Sequence, residues 1–369
     1  MTAKVLIIGG YGNFGQRISE VLATDEAIQI IVGGRNESKA KAFVKTLKAV
    51  HTPLTCKIDI QNNLVETLKA QAPDIVIHTS GPYQEQGYEV ALACIEAGAH
   101  YIDLADARDF VANIHTLDNA AKAKGVFVCS GASSVPGLTS AILEHYKPHF
   151  KEIHDIDYAI ATAQMTNRGL ATTSAVLSYA GKPFKTLRNG SLKNVYGWLD
   201  LRKTNFWGLG PRLLGNCDIP DLALFPLYYP TLKNIRFQAV LEIPFLHRLL
   251  WIFSWMVSYK LSPSLKHFAK PMLTISYMFD RLGTHDSGFY MTMTGIDANG
   301  APKTERFDIH AMDGDGLYIP TMPALILAKK LARDLTKYSG AKPCVGLVTL
   351  DEYTQNLSAH NIKWQPTLS

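Results

Sequence analysis

No block of five or six like charges occurs anywhere in the 369 residues. That removes the tail or arm with which a nucleic-acid-binding chain grips phosphates, so no nucleic-acid partner is expected. No C-x-x-C pair occurs either. The five cysteines, Cys56, Cys94, Cys129, Cys217 and Cys344, are far apart, and a chain of this length needs no disulfide staple, so reduced thiols and a cytoplasmic location are expected. The apolar run after Lys4 is too short for a signal-peptide core. There is no internal repeat, no low-complexity tract and no H-E-x-x-H. His145 and His149 are four apart but separated by Pro148, and Asp313-Gly314-Asp315-Gly316 lacks the later bidentate acid of a calcium loop. No metal site is therefore expected. No G-x-S-x-G elbow surrounds Ser130 or Ser133, which argues against either as a nucleophile.

What is present fits a folded chain of more than one domain. Hydrophobic residues are 47% and charged residues 19%, with a net charge of +5 that suits an anionic ligand. Short apolar runs, Val5–Ile8, Ile28–Val32, Thr55–Asp59, Ile75–His78, His100–Asp103 and Val126–Cys129, read as strands. They are too apolar on both faces for a half-exposed antiparallel sheet. Helical patterns, Phe14–Ala23, Ser38–Ala49, Leu64–Ala70, Tyr88–Ala97 and Val111–Lys124, lie between them. This alternation predicts an α/β fold opening on a doubly wound parallel Rossmann sheet over 1–135. Strand-like runs then recur at Asp155–Thr162, Arg236–Glu242, Ser287–Thr294 and Arg306–Ala311, predicting an inserted mixed α+β domain over 136–320 for substrate or dimerisation. Asp297-Ala298-Asn299-Gly300 is a turn that pairs Phe289–Gly295 with Lys303–His310. A helix over Thr321–Tyr338, capped by Thr321 and stopped by Gly340, opens a C-terminal segment 321–369 expected to return to the Rossmann domain.

The first strand runs into Gly10-Tyr11-Gly12-Asn13-Phe14-Gly15, a G-x-G-x-x-G followed by a helix. Gly10 permits a tight turn, Gly12 lets a pyrophosphate approach the backbone, and Gly15 lets the helix pack close. The helix N-terminus adds amide donors and a positive dipole end. An NAD-binding chain carries an acid after the second strand, to hold the ribose hydroxyls. Here that place reads Gly33-Gly34-Arg35-Asn36, so Arg35 is expected to hold the 2′-phosphate of NADP, or else to be a solvated surface residue. The missing acid also argues against an S-adenosylmethionine-dependent methyltransferase. Tyr11, and Asp59 at the end of the third strand, complete this part of the cofactor set. Ligands of open α/β sheets bind beyond the strand ends, which places Ser80-Gly81-Pro82-Tyr83, Asp103 to Arg108 and Ser130 to Gly137 at the reacting end. Asp103 and Asp106 are candidate acid/base or substrate-amine contacts and Tyr83 a candidate proton donor; the alternative is that the carboxylates cap a helix or pair with Arg108.

The glycine loop, Gly81-Pro82-Tyr83-Gln84-Glu85-Gln86-Gly87, Cys94 to Asp103, and Val135-Pro136-Gly137-Leu138 resemble the saccharopine dehydrogenase-like family. The resemblance returns at Tyr318 to Ala324. It implies a nicotinamide-dependent oxidoreductase that reduces an imine, carbonyl or activated alkene, an inserted domain often used to form a homodimer, and a C-terminal helix returning to the Rossmann domain. It also implies that Gly10, Gly12, Asn13, Phe14, Gly15 and Arg35 bind the cofactor, with Ser80, Gly81 and Pro82 under its ribose and nicotinamide. A non-catalytic NADP-binding sensor or scaffold and a membrane-associated reductase of a lipid-like substrate are the rival readings. Saccharopine itself, with several carboxylates, would need an arginine-rich pocket. The second domain is instead crowded with Tyr196, Trp198, Phe206, Trp207, Tyr228 and Tyr229, which admits a more apolar small-molecule substrate or simply a core.

The run from 245 to 259 holds two tryptophans among apolar residues, too few to cross a bilayer, which takes about 20. Three expectations stand for it: a buried core or subunit-interface helix, a wall of an apolar pocket, or a peripheral membrane contact.

Overall fold

The apolar runs of the first third become strands that are buried on both faces. The computed structural model describes residues 2–367. In chain order it begins β1 (Ala3–Ile8), α1 (Gly15–Leu22), β2 (Ile28–Gly34), α2 (Glu37–Val44), β3 (Leu54–Lys57), α3 (Leu64–Gln71) and β4 (Ile75–His78). It continues with α4 (Glu89–Ala97), β5 (His100–Asp103), α5 (Arg108–Ala112), α6 (Asp118–Ala123), β6 (Phe127–Ser130) and α7 (Thr139–Tyr146). The middle carries β7 (Glu152–Thr162), α8 (Leu170–Ser178), β8 (Pro183–Arg188), β9 (Ser191–Tyr196), β10 (Arg202–Phe206) and β11 (Gly210–Asn216). After these come α9 (Asp221–Tyr228), β12 (Asn234–Leu241), α10 (Pro244–Ser258), α11 (Ala269–Tyr277), β13 (Ser287–Ile296) and β14 (Pro302–Ala311). The end is α12 (Met322–Arg333), β15 (Gly340–Pro343), α13 (Leu350–Leu357) and β16 (Ile362–Thr367).

Two compact units result. One comprises the chain up to Ala141 plus Tyr318–Tyr353; the other comprises Ile142–Leu317 and the chain from Thr354. The first holds a parallel sheet in the order β15-β6-β5-β4-β1-β2-β3. Every residue of β4, β5 and β6 is buried, as a sheet covered by helices on two sides requires. The order reverses between β1 and β4, and a crevice beyond the strand ends at such a switch point is where open α/β sheets take ligands. The helix α12 lies against α1 and against β1, β4 and β5. Its approach is close: a Cβ on Gly137 would fall 2.7 Å from Pro323 Cγ. This contact explains why the first unit extends past the expected boundary at 135, since Val135-Pro136-Gly137 is clamped beneath the start of α12.

The second unit is built on a mixed sheet, β10-β11-β12-β7-β13-β14-β16, in which only β12 and β7 run parallel. The expected hairpin forms between β13 and β14. The hairpin β8-β9, the strands β10 and β11, and the edge strands β15 and β16 were not read from sequence. The C-terminal segment divides: β15 extends the parallel sheet, whereas β16 pairs with β14 in the other unit, so 321–369 does not return whole to the Rossmann unit. Asp313 and Asp315 serve that pairing, accepting hydrogen bonds from Asn361. The late helix ends at Arg333 rather than Tyr338. Asp334 turns extended, and its carboxylate accepts from the Thr336 amide and hydroxyl. Thr321 does not cap it by side chain; its hydroxyl donates to the Tyr318 carbonyl at 2.7 Å. All five cysteines are free and buried. Trp198, Phe206 and Tyr229 are buried core, while Tyr196 and Tyr228 are exposed.

The second unit contains a buried histidine. His247, on the inner face of α10, accepts a hydrogen bond from the Leu241 amide at 3.2 Å and meets Trp198 edge-on at 5.5 Å. Burial lowers its pKa from 6.5 to about 4. The unfolded chain binds this proton more readily, so stability that is full above pH 6.5 is lost as the pH falls toward 4. His247→Gln keeps an acceptor for Leu241 but cannot titrate. Urea unfolding across that window should lose about one proton of pH dependence in the variant, about 1.4 kcal/mol per pH unit. An unchanged slope would mean the imidazole is solvated.

Candidate functional site

The turn after β1 is shaped by what four glycines leave out. Gly9, not Gly10, is the residue with a left-handed backbone, at φ +82°. A Cβ there would lie 2.7 Å from Thr79 Oγ1 and 2.8 Å from Ser80 Oγ, so the loop after β4 presses directly on the glycine turn. At Gly15 a Cβ would sit 2.1 Å from the Gly9 carbonyl oxygen and 2.8 Å from Gly10 Cα, a clash with backbone that nothing can relieve. Gly12 differs: its Cβ would meet only the Gly9 carbonyl, at 3.1 Å, and the residue is exposed. Two hydroxyls pin the arrangement. Ser19 donates to the Gly10 carbonyl at 2.9 Å, and Thr79 donates to the Ile8 carbonyl at 2.9 Å. The motif spacing reveals Gly10, Gly12 and Gly15 but does not point to Gly9, Ser19 or Thr79.

No side chain caps α1, whose Ncap is Phe14, so the positive end of the helix stands behind the exposed Gly12 backbone. Asn13 offers its carbonyl to Arg17 at 2.7 Å. Such a helix start can hold an anion on main-chain amides, and a side chain at Gly12 would stand in front of it. Tyr11 joins the glycine turn to the second strand end. Its ring covers Gly34, where a Cβ would lie 2.5 Å from Tyr11 Cε1, and its hydroxyl accepts from the Asn36 amide at 3.0 Å. Asn36 caps α2 by accepting from the Lys39 amide, and Arg35 beside it is exposed, with Asp59 near enough to feel its charge. Asp59 is committed elsewhere. Its carboxylate accepts from Asn62 Nδ2 at 3.0 Å and the Gln61 amide at 3.2 Å, and these bonds, with a smaller pull from Arg35, hold it below the ordinary carboxylate range. It shapes its own turn.

At the other strand ends, Ser80, Gly81 and Pro82 form a ledge held by Gln86, whose side-chain amide donates to the Ser80 and Pro82 carbonyls at 2.8 and 3.0 Å. Tyr83 is not free to donate a proton. Its hydroxyl is buried and donates to the His78 carbonyl at 2.7 Å, and burial pushes its pKa well up. Asp103 is fully buried, another departure from expectation. One oxygen accepts from the Gly131 amide at 2.8 Å, the Ala105 amide at 2.9 Å and the Ser130 hydroxyl at 3.0 Å. It thus ties the loops after β5 and β6 together. Burial raises its pKa to about 6, against the pull of those three donors. Asp106, by contrast, is exposed at the rim and accepts from Gln84 Nε2 at 3.2 Å; atoms crowded around its carboxyl raise it above the ordinary value, and Gln84 opposes that. Among the described residues no cluster of His, Cys, Asp and Glu is arranged to hold a metal.

With this geometry, comparison with known proteins is informative. Residues 5–129 match the family described as the saccharopine dehydrogenase NADP binding domain. A "Lipid droplet localized protein" of Caenorhabditis elegans is 27% identical over 143 residues, 36% of this chain and 34% of that one. A "Trans-acting enoyl reductase" of Mycobacterium leprae is 28% identical over 138 residues, 36% of this chain and 33% of that one. Each match spans about a third of the relative's length. Apo saccharopine dehydrogenase (L-Glu forming) of Saccharomyces cerevisiae superposes with a TM-score of 0.70 over 99% of this chain and 100% of that chain. At 13% identity this establishes a shared fold.

The clasp at Asp103 is testable. The folded chain holds its proton more tightly than the unfolded chain does, so this group's contribution to stability falls as the pH rises from 3.8 to about 6. Asp103→Ala strands three donors and should cost about 2–4 kcal/mol in urea unfolding at neutral pH, with weaker NADPH binding. Asp103→Asn keeps an acceptor oxygen, should bind NADPH nearly as well, and should lose that falling limb. Equal damage from both would show that the charge, not the acceptor, matters.

Proposed function

We propose, from a chain whose residues 5–129 belong to the saccharopine dehydrogenase NADP-binding domain family, an NADPH-dependent reductase acting on a carbonyl, imine or activated alkene of an apolar small molecule. The observation that carries this reading is the open backbone at Gly12 beneath an uncapped helix, beside an exposed arginine. The amides of the Gly10–Gly15 turn and the first turn of α1 would hold the pyrophosphate. Arg35, next to the start of α2, would hold the ribose phosphate by charge-assisted bonds. Ser80, Gly81 and Pro82 would lie under the nicotinamide end. The cofactor, when bound, supplies the hydride.

The chain's own task is then to position the substrate and handle one proton. Of the three expected proton handlers, Tyr83 and Asp103 are engaged in the scaffold, whereas Asp106 stands at the rim with a raised carboxyl and Gln84 orienting it. Asp106 is the group we assign to proton delivery. The relative named an enoyl reductase, and the one named for lipid droplets, favour an apolar substrate over saccharopine. A second reading, a sensor that binds NADPH without turnover, is favoured by the burial of Asp103 and Tyr83. Assay against a panel of enals, enones, ketones and imines separates the two: the reductase reading requires NADPH oxidation with at least one class.

Two substitutions test the cofactor assignment by calorimetry. Arg35→Ala should weaken NADPH binding by about 1–3 kcal/mol while leaving NADH nearly unaffected. Equal losses for both dinucleotides would refute a phosphate role. Gly12→Val should abolish binding of either cofactor with little change in melting temperature, because its side chain enters open space rather than core. Retained binding would place the pyrophosphate elsewhere.

A further inference from the structure

The helix α10 is mounted with its polarity reversed. Its buried face carries His247, Leu250 and Ser254, spaced three and four residues apart. The Ser254 hydroxyl turns inward to the Leu250 carbonyl at 2.7 Å, and Gly181 presses so close that a Cβ would lie 2.2 Å from the Ser254 carbonyl oxygen. Leu250 joins a core cluster with Trp198, Leu265 and Ala269. The inner face is therefore fixed by backbone proximity and one leucine. The outer face presents Ile252, Phe253, Trp255, Met256 and Tyr259, all exposed. The segment after it continues this surface with Leu261, Phe268, Ile275, Met278 and Leu282. Among the described residues, twelve of the 21 large exposed hydrophobic residues fall between Phe245 and Leu282, and the Phe245 and Phe279 rings meet at 6.3 Å, so the exposure is concentrated on this segment and not scattered along the chain. A helix buried all round in the core, one of the expectations for this run, is not what forms.

Charge identifies what covers the patch. Between residues 244 and 282 the chain has five cationic residues, Arg248, Lys260, Lys266, Lys270 and Arg281, and one acid, Asp280. The acid is already paired with Arg168. The Trp255 and Tyr259 rings stack at 5.4 Å, and Trp251 meets Trp255 edge-on at 6.3 Å, grouping aromatic rings of the kind that settle at a headgroup boundary. No helix among the described residues is long and apolar enough to cross a membrane. A second copy of this chain seated isologously would bring cations against cations. We infer that the face formed by α10, α11 and their connecting turns docks on an anionic lipid surface, with the apolar side chains entering the headgroup boundary and the lysines and arginines meeting lipid phosphates. The inference stands apart from the reductase reading and is tested without turnover.

The full-length protein is floated with vesicles of phosphatidylcholine alone and of phosphatidylcholine mixed with phosphatidylglycerol. Binding is expected to the mixed vesicles, to weaken with added salt, and to fall about tenfold or more in Ile252→Ser/Trp255→Ser. Lys260→Glu/Lys270→Glu should remove the preference for the anionic vesicles. Both variants alter exposed side chains, and retained NADPH binding with an unchanged circular dichroism spectrum confirms that each is folded. The inference is overturned if the native protein fails to float at low salt, or if the folded apolar variant floats equally well. It is also overturned if light scattering shows a dimer that this variant splits while neither form binds vesicles.

Discussion

The contact between the Gly15 backbone and the Gly9 carbonyl fixes the direction of α1, and the rest of the first unit is arranged around it. A methyl group at Gly15 would fall 2.1 Å from that oxygen. With no side chain there, the helix begins directly behind the turn, and its positive end faces Gly12. The left-handed Gly9 brings the turn against Thr79 and Ser80, so the loop that would carry the nicotinamide end is set by the residues that shape the phosphate end. Two steric constraints thus fix the glycine turn relative to both the start of α1 and the loop after β4.

Asp103 applies the same logic to the opposite strand ends with hydrogen bonds instead of contact. A buried carboxylate oxygen with three donors is costly to desolvate, and the rise of its pKa to about 6 records that cost. What it gains is position. The Gly131 amide, the Ala105 amide and the Ser130 hydroxyl belong to the two neighbouring strand ends, which this one oxygen joins. Tyr83 works alongside, its hydroxyl spent on His78 and its ring meeting His78 at 5.3 Å and Phe110 at 5.4 Å. Residues that resemble acid and base in sequence thus spend their polar atoms on holding neighbouring loops.

This marks where sequence reading succeeds and where it stops. The parallel strands were legible because burial on two faces demands unbroken apolar runs, as in Ile75–His78 and His100–Asp103. The glycine turn was legible because a Cβ has no room at Gly15 and the fixed spacing of the motif then marks Gly12 and Gly10. The strands β9 and β10 were not, since Ser191–Tyr196 and Arg202–Phe206 alternate exposed polar residues that match a loop equally well. Nor were the short edge strands β15 and β16, which are defined by long-range pairing and not by their own pattern. For Asp103 against Asp106, sequence supplies two carboxylates three residues apart. Only the tertiary turn buries one among donors and leaves the other at the rim.

Helix α10 exposes a deeper ambiguity. A helix apolar on every side predicts burial, and the periodicity of Leu249 to Val257 cannot say which face turns inward. In the folded unit the inward face is the one that permits close approach: Ser254 is small and satisfies its hydroxyl within the helix, and Gly181 has no side chain to hold the turn away. Bulky Trp255 or Phe253 at that crossing would meet the Gly181 backbone. Packing geometry, not hydrophobicity, thus decides the orientation, and the large rings are left outside at a cost in exposed apolar surface of about 25 cal/mol per Å². The fold accepts that cost on a cation-fringed stretch while burying a histidine and a serine beneath it, and it is this inversion on which the proposed contact with an anionic lipid surface rests.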